Sequence, residues 1–194
     1  MESLPDIILR FNSWFDAAQS IEANSVPGAC CLSTNGLDGV PNARFVSLKE
    51  TTAEGWIITG NMASLKGKEV RANNKVALSF WWDKSQRQVR IQGHAEIVSK
   101  DEADRYFKHR KPESRLVSTV FTQGSKISSY QQVEQQYRTA IQTIPDQIDR
   151  PDHWSAILIR PIRVEFMEFK PNRLHDRQLH ILQNGQWVVQ QLQP

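Results

Sequence analysis

Cysteine is almost missing from this chain: Cys30 and Cys31 occur side by side and there are no others. Two adjacent thiols cannot build a disulfide framework, and no metal-ligand spacing involves them, so a reducing compartment is expected. An excess of one charge sign is also missing. The net charge of +3 admits small anionic ligands but gives no basic stripe for nucleic acid. No apolar run is long enough to cross a bilayer, and the start, Met1-Glu2-Ser3-Leu4-Pro5-Asp6, lacks a basic-then-apolar leader. A cytoplasmic protein with no membrane partner is expected. Glycine-rich nucleotide fingerprints, zinc spacings and the Gly-x-Ser-x-Gly elbow are absent, and no nucleophile–base pair stands out, which weighs against hydrolysis.

What is present is a full core for one domain of 194 residues, with six Trp and eight Phe. Residues 6–22 carry Ile7, Ile8, Phe11, Trp14, Phe15, Ala18 and Ile21 at helical spacing, within an N-terminal helical segment over 1–25. Strands are expected at Ala29–Thr34, Val40–Lys49 and Trp56–Thr59, then a short helix over Ser64–Asn73 with Ser64 as its N-cap. A hairpin follows, Val76–Trp82 with Arg87–Val98, whose second strand alternates Gln88, Arg90, Gln92 and His94 against Val89, Ile91, Gly93 and Ala95. Ser99-Lys100-Asp101-Glu102 reads as a capping box opening a helix that carries Tyr106 and Arg110 on one side and stops at Lys111-Pro112. A further helix fits Tyr130–Thr143, and strands close the chain from 154 to 194. The fold class is mainly β with helices (α+β), a β-barrel with helices packed around it.

The basic groups are the chemical signal. Arg173, His175 and Arg177 stand at every second position before an Asn184-Gly185 hairpin turn. As a strand, this run places all three on one face, a receptor for something anionic; the alternative is a solvated strand face. Arg44 and Lys49, five apart on one strand, should point to opposite faces. Lys66 sits in the first turn of a short helix, where free N–H groups favour an anion. Tyr106, Arg110 and Ser114 add a phenol, a guanidinium and a hydroxyl. Each has an ordinary explanation alone; together they suggest two phosphate-sized sites, with Gln88 and Gln123 suited to the edge of a flavin or pyrimidine-like ring.

In matching order from Phe11 to Pro194, the chain resembles the pyridoxamine 5′-phosphate oxidase family. Arg173-Leu174-His175-Asp176-Arg177 is the most specific part, followed by Arg44…Lys49, Arg87-Gln88-Val89 and Tyr106-Phe107…Arg110…Ser114. The resemblance implies an FMN-binding split β-barrel, a homodimer with FMN between subunits, and 154–194 as dimerisation and substrate-site strands. It implies that Arg44, Ser47, Lys49, Thr59, Lys66, Gln88, Gln123 and Arg177 contact FMN. Lys49, Tyr106, Arg110 and Ser114 would hold the substrate phosphate, with Arg173 and His175 over the pyridine ring as the catalytic pair. The implied reaction oxidises pyridoxine or pyridoxamine 5′-phosphate to pyridoxal 5′-phosphate while O2 becomes H2O2. The chain departs from the family pattern at Leu65, Gly124, Trp154-Ser155-Ala156 and Met167, all on the flavin side or the scaffold; the substrate-side set is complete.

Two other readings compete. One keeps the fold and FMN but changes the substrate, as in phenazine-type oxidases or flavin reductases; the full phosphate-binding set argues against it. The other is a non-catalytic barrel that stacks single-stranded nucleic acid on Phe80, Trp81 and Trp82. The mild charge and apolar surroundings of those rings favour a core role.

Overall fold

A computed structural model describes residues 2–21, 26–143, 145 and 147–194 of the chain. Eight antiparallel strands follow the alternation and turns of the sequence: β1 (Ala29–Thr34), β2 (Asn42–Thr52), β3 (Gly55–Asn61), β4 (Lys75–Trp82), β5 (Arg87–Ile97), β6 (Trp154–Glu168), β7 (Asp176–Gln183) and β8 (Gln186–Leu192). Their order is β3-β2-β1-β4-β5-β6-β7-β8, and β3 also pairs with β6. The first six strands therefore close into a barrel, with β7 and β8 extending the sheet from one side of β6.

The long strand β6 makes both arrangements possible. Its first part, Trp154 to Ile159, pairs with β3, and its last, Arg163 to Glu168, pairs with β7. The switch falls around Pro161, which has no N–H to give to a ladder. A register shift between Gln92 and Gly93 marks the same place on β5. A Cβ at Gly93 would lie 2.1 Å from the Arg160 carbonyl oxygen, so only glycine fits against this bend.

Helix α1 (Leu4–Ile21) lays Ile7, Ile8, Phe11 and Ala18 into the barrel core. Phe11 meets Trp56 at 5.3 Å and Phe80 at 5.0 Å, both edge-on. Such pairs each add about 0.5–1.5 kcal/mol beyond their buried area. Phe80 and Trp82 are core residues, and Trp81 lies edge-on to Phe169, so no stacking platform of three rings exists. The expected last residue of this helix, Glu22, and part of the 1–25 segment lie outside the described residues. Among the described residues no helix is long and apolar enough to cross a membrane.

Among the described residues four more helices pack around the barrel: α2 (Leu65–Ala72), α3 (Lys100–Lys108), α4 (Pro112–Val120) and α5 (Tyr130–Gln142). The capping box forms, Ser99 accepting from the Glu102 backbone and Glu102 from that of Ser99. Three expectations are corrected. Helix α3 ends at Lys108, so Arg110 lies beyond it rather than one turn after Tyr106 on the same helix. Pro112 does not merely end a helix: it occupies the first turn of a new one, α4, which carries Ser114. Ser64 sits at the N-cap of α2 but its hydroxyl makes no cap; it donates to the Asn61 carbonyl instead.

Candidate functional site

Two adjoining cavities lie where α2, α3 and α4 meet the outside of β2 and β3. The first, about 400 Å³, is lined by Arg44, Thr59, Lys66, Arg110, Gln123 and Trp154, among others. The second, about 690 Å³, is lined by Lys49, Thr59, Arg105, Tyr106, Arg110 and Ser114 with their neighbours. Thr59 and Arg110 belong to both walls. Arg44 and Lys49 were expected on opposite faces, but the register of β2 shifts between Leu48 and Glu50. That bulge at Lys49 breaks the alternation and brings both side chains to this connected space.

In the first cavity Lys66 is nearly buried, and its Nζ donates to Ser64 Oγ and Gln123 Oε1, each at 3.1 Å. Burial, then the charge of Arg44, holds its ammonium below the usual lysine range. Gly60 gives it room: a Cβ there would lie 2.7 Å from Lys66 Cε. Gly67 lets α2 approach the chain, since its Cβ would meet the Met62 backbone at 2.4 Å. The guanidinium of Arg44 is held from behind by Glu69 at 2.9 Å, by Thr34 Oγ1 and by the Leu32 carbonyl.

Arg110, on the wall shared by the two cavities, donates to Ser118 Oγ at 2.9 Å and stacks over the Trp154 ring at 4.9 Å, both lining the first cavity. Burial pushes its guanidinium down; for Lys49, burial and then the charge of Arg110 act in the same direction. Among the described residues, no carboxylate pairs with Lys49, Lys66 or Arg110. Tyr106 behaves differently from expectation. Its hydroxyl donates to Glu50 Oε2 at 2.6 Å, and burial together with Glu50 pushes its pKa up to about 12. Arg105 reaches the same carboxylate at 3.2 Å.

The remaining expected residues lie elsewhere on the chain. Ser47 lines neither cavity; its hydroxyl faces the Leu48 carbonyl. Gln88, Met167 and Arg177 form a row across β5, β6 and β7, with Gln88 Nε2 3.9 Å from Met167 Sδ. Arg177 is bound at 2.8 Å to buried Glu165, which also holds Arg90 at 3.0 Å. The run Arg173–Arg177 is not one strand. Arg173 has φ of 66° in a turn and β7 begins only at Asp176, so alternation does not relate the three basic groups. His175 lies 4.6 Å from the Phe169 ring and accepts the Lys170 N–H at Nδ1, which leaves the proton of the neutral ring on Nε2. With Arg173 it lines a separate cavity of about 440 Å³.

Glu50, Glu69, Glu165, Thr34, Asn42 and Ser118 had no sequence signal. Glu69 stands three residues after Lys66 on α2, a spacing that shares a face, but nothing in the sequence says that the face is buried.

The donor chemistry suits a dianionic phosphate. Lys66 and Arg110, which pair with no carboxylate among the described residues, converge with Gln123 and the Glu69-bound Arg44 on a space whose apolar wall includes Val46 and Trp154. A phosphorylated aromatic cofactor such as a flavin mononucleotide fits that combination of charge and apolar wall.

The barrel defines a fold shared with solved proteins. One is PhzG from Burkholderia lata 383, in complex with tetrahydrophenazine-1-carboxylic acid, at a TM-score of 0.89 and 20% identity, covering 96% of this chain and 92% of that one. Another is a pyridoxamine 5′-phosphate oxidase-related, FMN-binding protein from Nostoc punctiforme PCC 73102, at 0.79 and 14%, covering 94% and 96%. At these identities the likeness speaks for the fold alone. Sequence goes further. The family model for pyridoxamine 5′-phosphate oxidase matches residues 20–149, and that for the pyridoxine 5′-phosphate oxidase C-terminal dimerisation region matches 154–194. The pyridoxine/pyridoxamine 5′-phosphate oxidase of Thermosynechococcus vestitus is 37% identical over 193 residues, covering 100% of this chain and 91% of that protein. Its namesake from Nostoc punctiforme is 39% identical over 188 residues, covering 96% and 87%. The chain belongs to the pyridoxamine 5′-phosphate oxidase family, a family of oxidoreductases.

Proposed function

We propose that this protein oxidises pyridoxine 5′-phosphate or pyridoxamine 5′-phosphate to pyridoxal 5′-phosphate with FMN as cofactor, reducing O2 to H2O2. The observation that carries the reading is the pair of joined basic cavities. Arg44, Lys66 and Gln123 line one, Lys49, Tyr106, Arg110 and Ser114 line the other, and Thr59 and Arg110 join them. Two phosphates, one on the cofactor and one on the substrate, account for two cationic sites this close together.

In this reading Arg44 and Lys66 bind the FMN phosphate, with Thr59 and Gln123 at its side. Lys49 and Arg110 bind the substrate phosphate, and Ser114 offers a hydroxyl. FMN held there would supply the two-electron chemistry between substrate and O2. The residues of the chain orient and bind, and each charge-assisted hydrogen bond to phosphate is worth about 1.5–3 kcal/mol. Tyr106 joins the phosphate site only by turning its hydroxyl away from Glu50.

Gln88, Arg173, His175 and Arg177 line neither cavity. A second copy of the chain, docked across the row Gln88–Met167–Arg177, would bring them to its partner's cavities. We therefore read the working form as a homodimer, in keeping with the C-terminal dimerisation family model.

The test is direct. The purified protein should be yellow, release FMN on denaturation, and form H2O2 with pyridoxine 5′-phosphate but far less with unphosphorylated pyridoxine. A yellow protein that turns over a phosphate-free substrate equally well would favour a phenazine-type or reductase role.

A further inference from the structure

Glu69 is a carboxylate with 0% exposure directly behind the proposed FMN phosphate site. An acid so placed repels a phosphate unless its charge is taken up by other groups. Its bonds show such groups. Oε2 accepts from Thr34 Oγ1 at 2.6 Å and from Arg44 at 2.9 Å, while Oε1 accepts from Asn42 Nδ2. Burial raises its carboxyl pKa, but these donors and the charge of Arg44 outweigh burial and hold it below the usual range. The acid is therefore ionised and fully engaged, and its charge is spent locally rather than on the cavity.

Arg44 is the other half of the arrangement. A free arginine side chain has many rotamers, and ordering it at binding costs affinity. Here Nη2 donates to Glu69, and Nη1 donates to Thr34 and the Leu32 carbonyl. Nε and the second N–H of Nη2 have no hydrogen bond among the described residues.

We propose that Glu69 is a positioning residue of this site: it fixes the Arg44 guanidinium in place on the cavity wall, ready for the phosphate of FMN. This rests on the reading of the cavity as the FMN phosphate site.

The experiment compares the affinity of apoprotein for FMN with that for riboflavin, which lacks the phosphate. The ratio isolates phosphate recognition, and a purely structural role for Glu69 lowers thermal stability without moving it. In Glu69→Gln the amide must point a donor at Asn42 or at Thr34 and Arg44, and the preference for FMN should fall about tenfold. Arg44→Ala should lower it at least as much, and the double variant no further than Arg44→Ala alone. Asn42→Ala loosens Glu69 from its half-buried side and should lower the preference roughly threefold, which decides the matter if Glu69→Gln does not fold. If Arg44→Ala lowers the ratio while the folded Glu69→Gln or Asn42→Ala leaves it unchanged, the role of Glu69 is overturned and the cavity reading stands. If Arg44→Ala leaves the ratio unchanged, the cavity reading fails and the role of Glu69 fails with it.

Discussion

Arg110 illustrates how a single residue can serve two neighbouring spaces. Its guanidinium lies over the Trp154 ring and one of its nitrogens is tied to Ser118, yet it has no acidic partner among the described residues. A desolvated guanidinium of this kind interacts strongly with a phosphate. Arg110→Ala should therefore raise KM for pyridoxine 5′-phosphate by about 10- to 100-fold, corresponding to roughly 1.5–3 kcal/mol, while FMN content changes little. Steady-state kinetics with phosphorylated and unphosphorylated vitamers check this; equal losses for both would assign Arg110 another task. Gly60 is a second single-residue test. An added methyl would displace the end of Lys66, so Gly60→Ala should weaken FMN by several-fold and riboflavin little. Fluorescence titration of the two flavins measures it.

Among the elements, the β7–β8 hairpin carries a pH-sensitive position. His180 on β7 is fully buried, 5.5 Å from Phe166, with Nδ1 2.8 Å from the Glu2 carboxylate. Burial holds its imidazole below the ordinary value; Glu2 opposes and Arg10 reinforces the shift. The unfolded chain therefore takes up this proton first on acidification, so stability falls as pH drops below about 6.5. The thermal midpoint should decline as pH falls from about 6.5 to about 5, and less steeply in His180→Leu than in the parent protein. A parallel decline in both would remove His180 as a cause.

Elements also show what the sequence could and could not convey. Alternation placed β5 correctly, and Asn184-Gly185, with φ of 50° and 79°, formed the expected turn. Helix α4 was missed because Pro112 reads equally as a stop and as a start. The turn at Arg173 has no local signature, because arginine, unlike the asparagine of Asn184-Gly185, is not a residue that marks positive φ. The cationic residues of both cavities could be found by resemblance. The acids behind them could not, because Glu50 and Glu69, like Glu165 behind Arg177, gain their roles from strands and helices distant in sequence.

For the whole molecule, the two groups of predicted site residues occupy different surfaces of one chain, so assembly becomes measurable. Sedimentation should find a dimer carrying one FMN per subunit; a stable FMN-loaded monomer would contradict it. Within that dimer, Arg173→Ala should stay yellow but lose kcat/KM, as should His175→Ala more mildly. Arg177→Ala, which leaves Glu165 bound to Arg90 alone, should lose FMN. Absorbance and turnover of the three variants separate these outcomes, and the opposite pattern for Arg173 and Arg177 would reverse their assignment.

The double-sided strand β6 has a consequence for synthesis. Barrel closure joins residues such as Trp56 and Ile159, about 100 positions apart, and no earlier strand can substitute. Until β6 has left the ribosome, β3 and β5 are both open edges on a nascent chain that already contains most of its aromatic residues. Birth is thus the vulnerable moment for this protein: a message cut short before codon 154 would yield an unclosed, adhesive sheet rather than a smaller working unit.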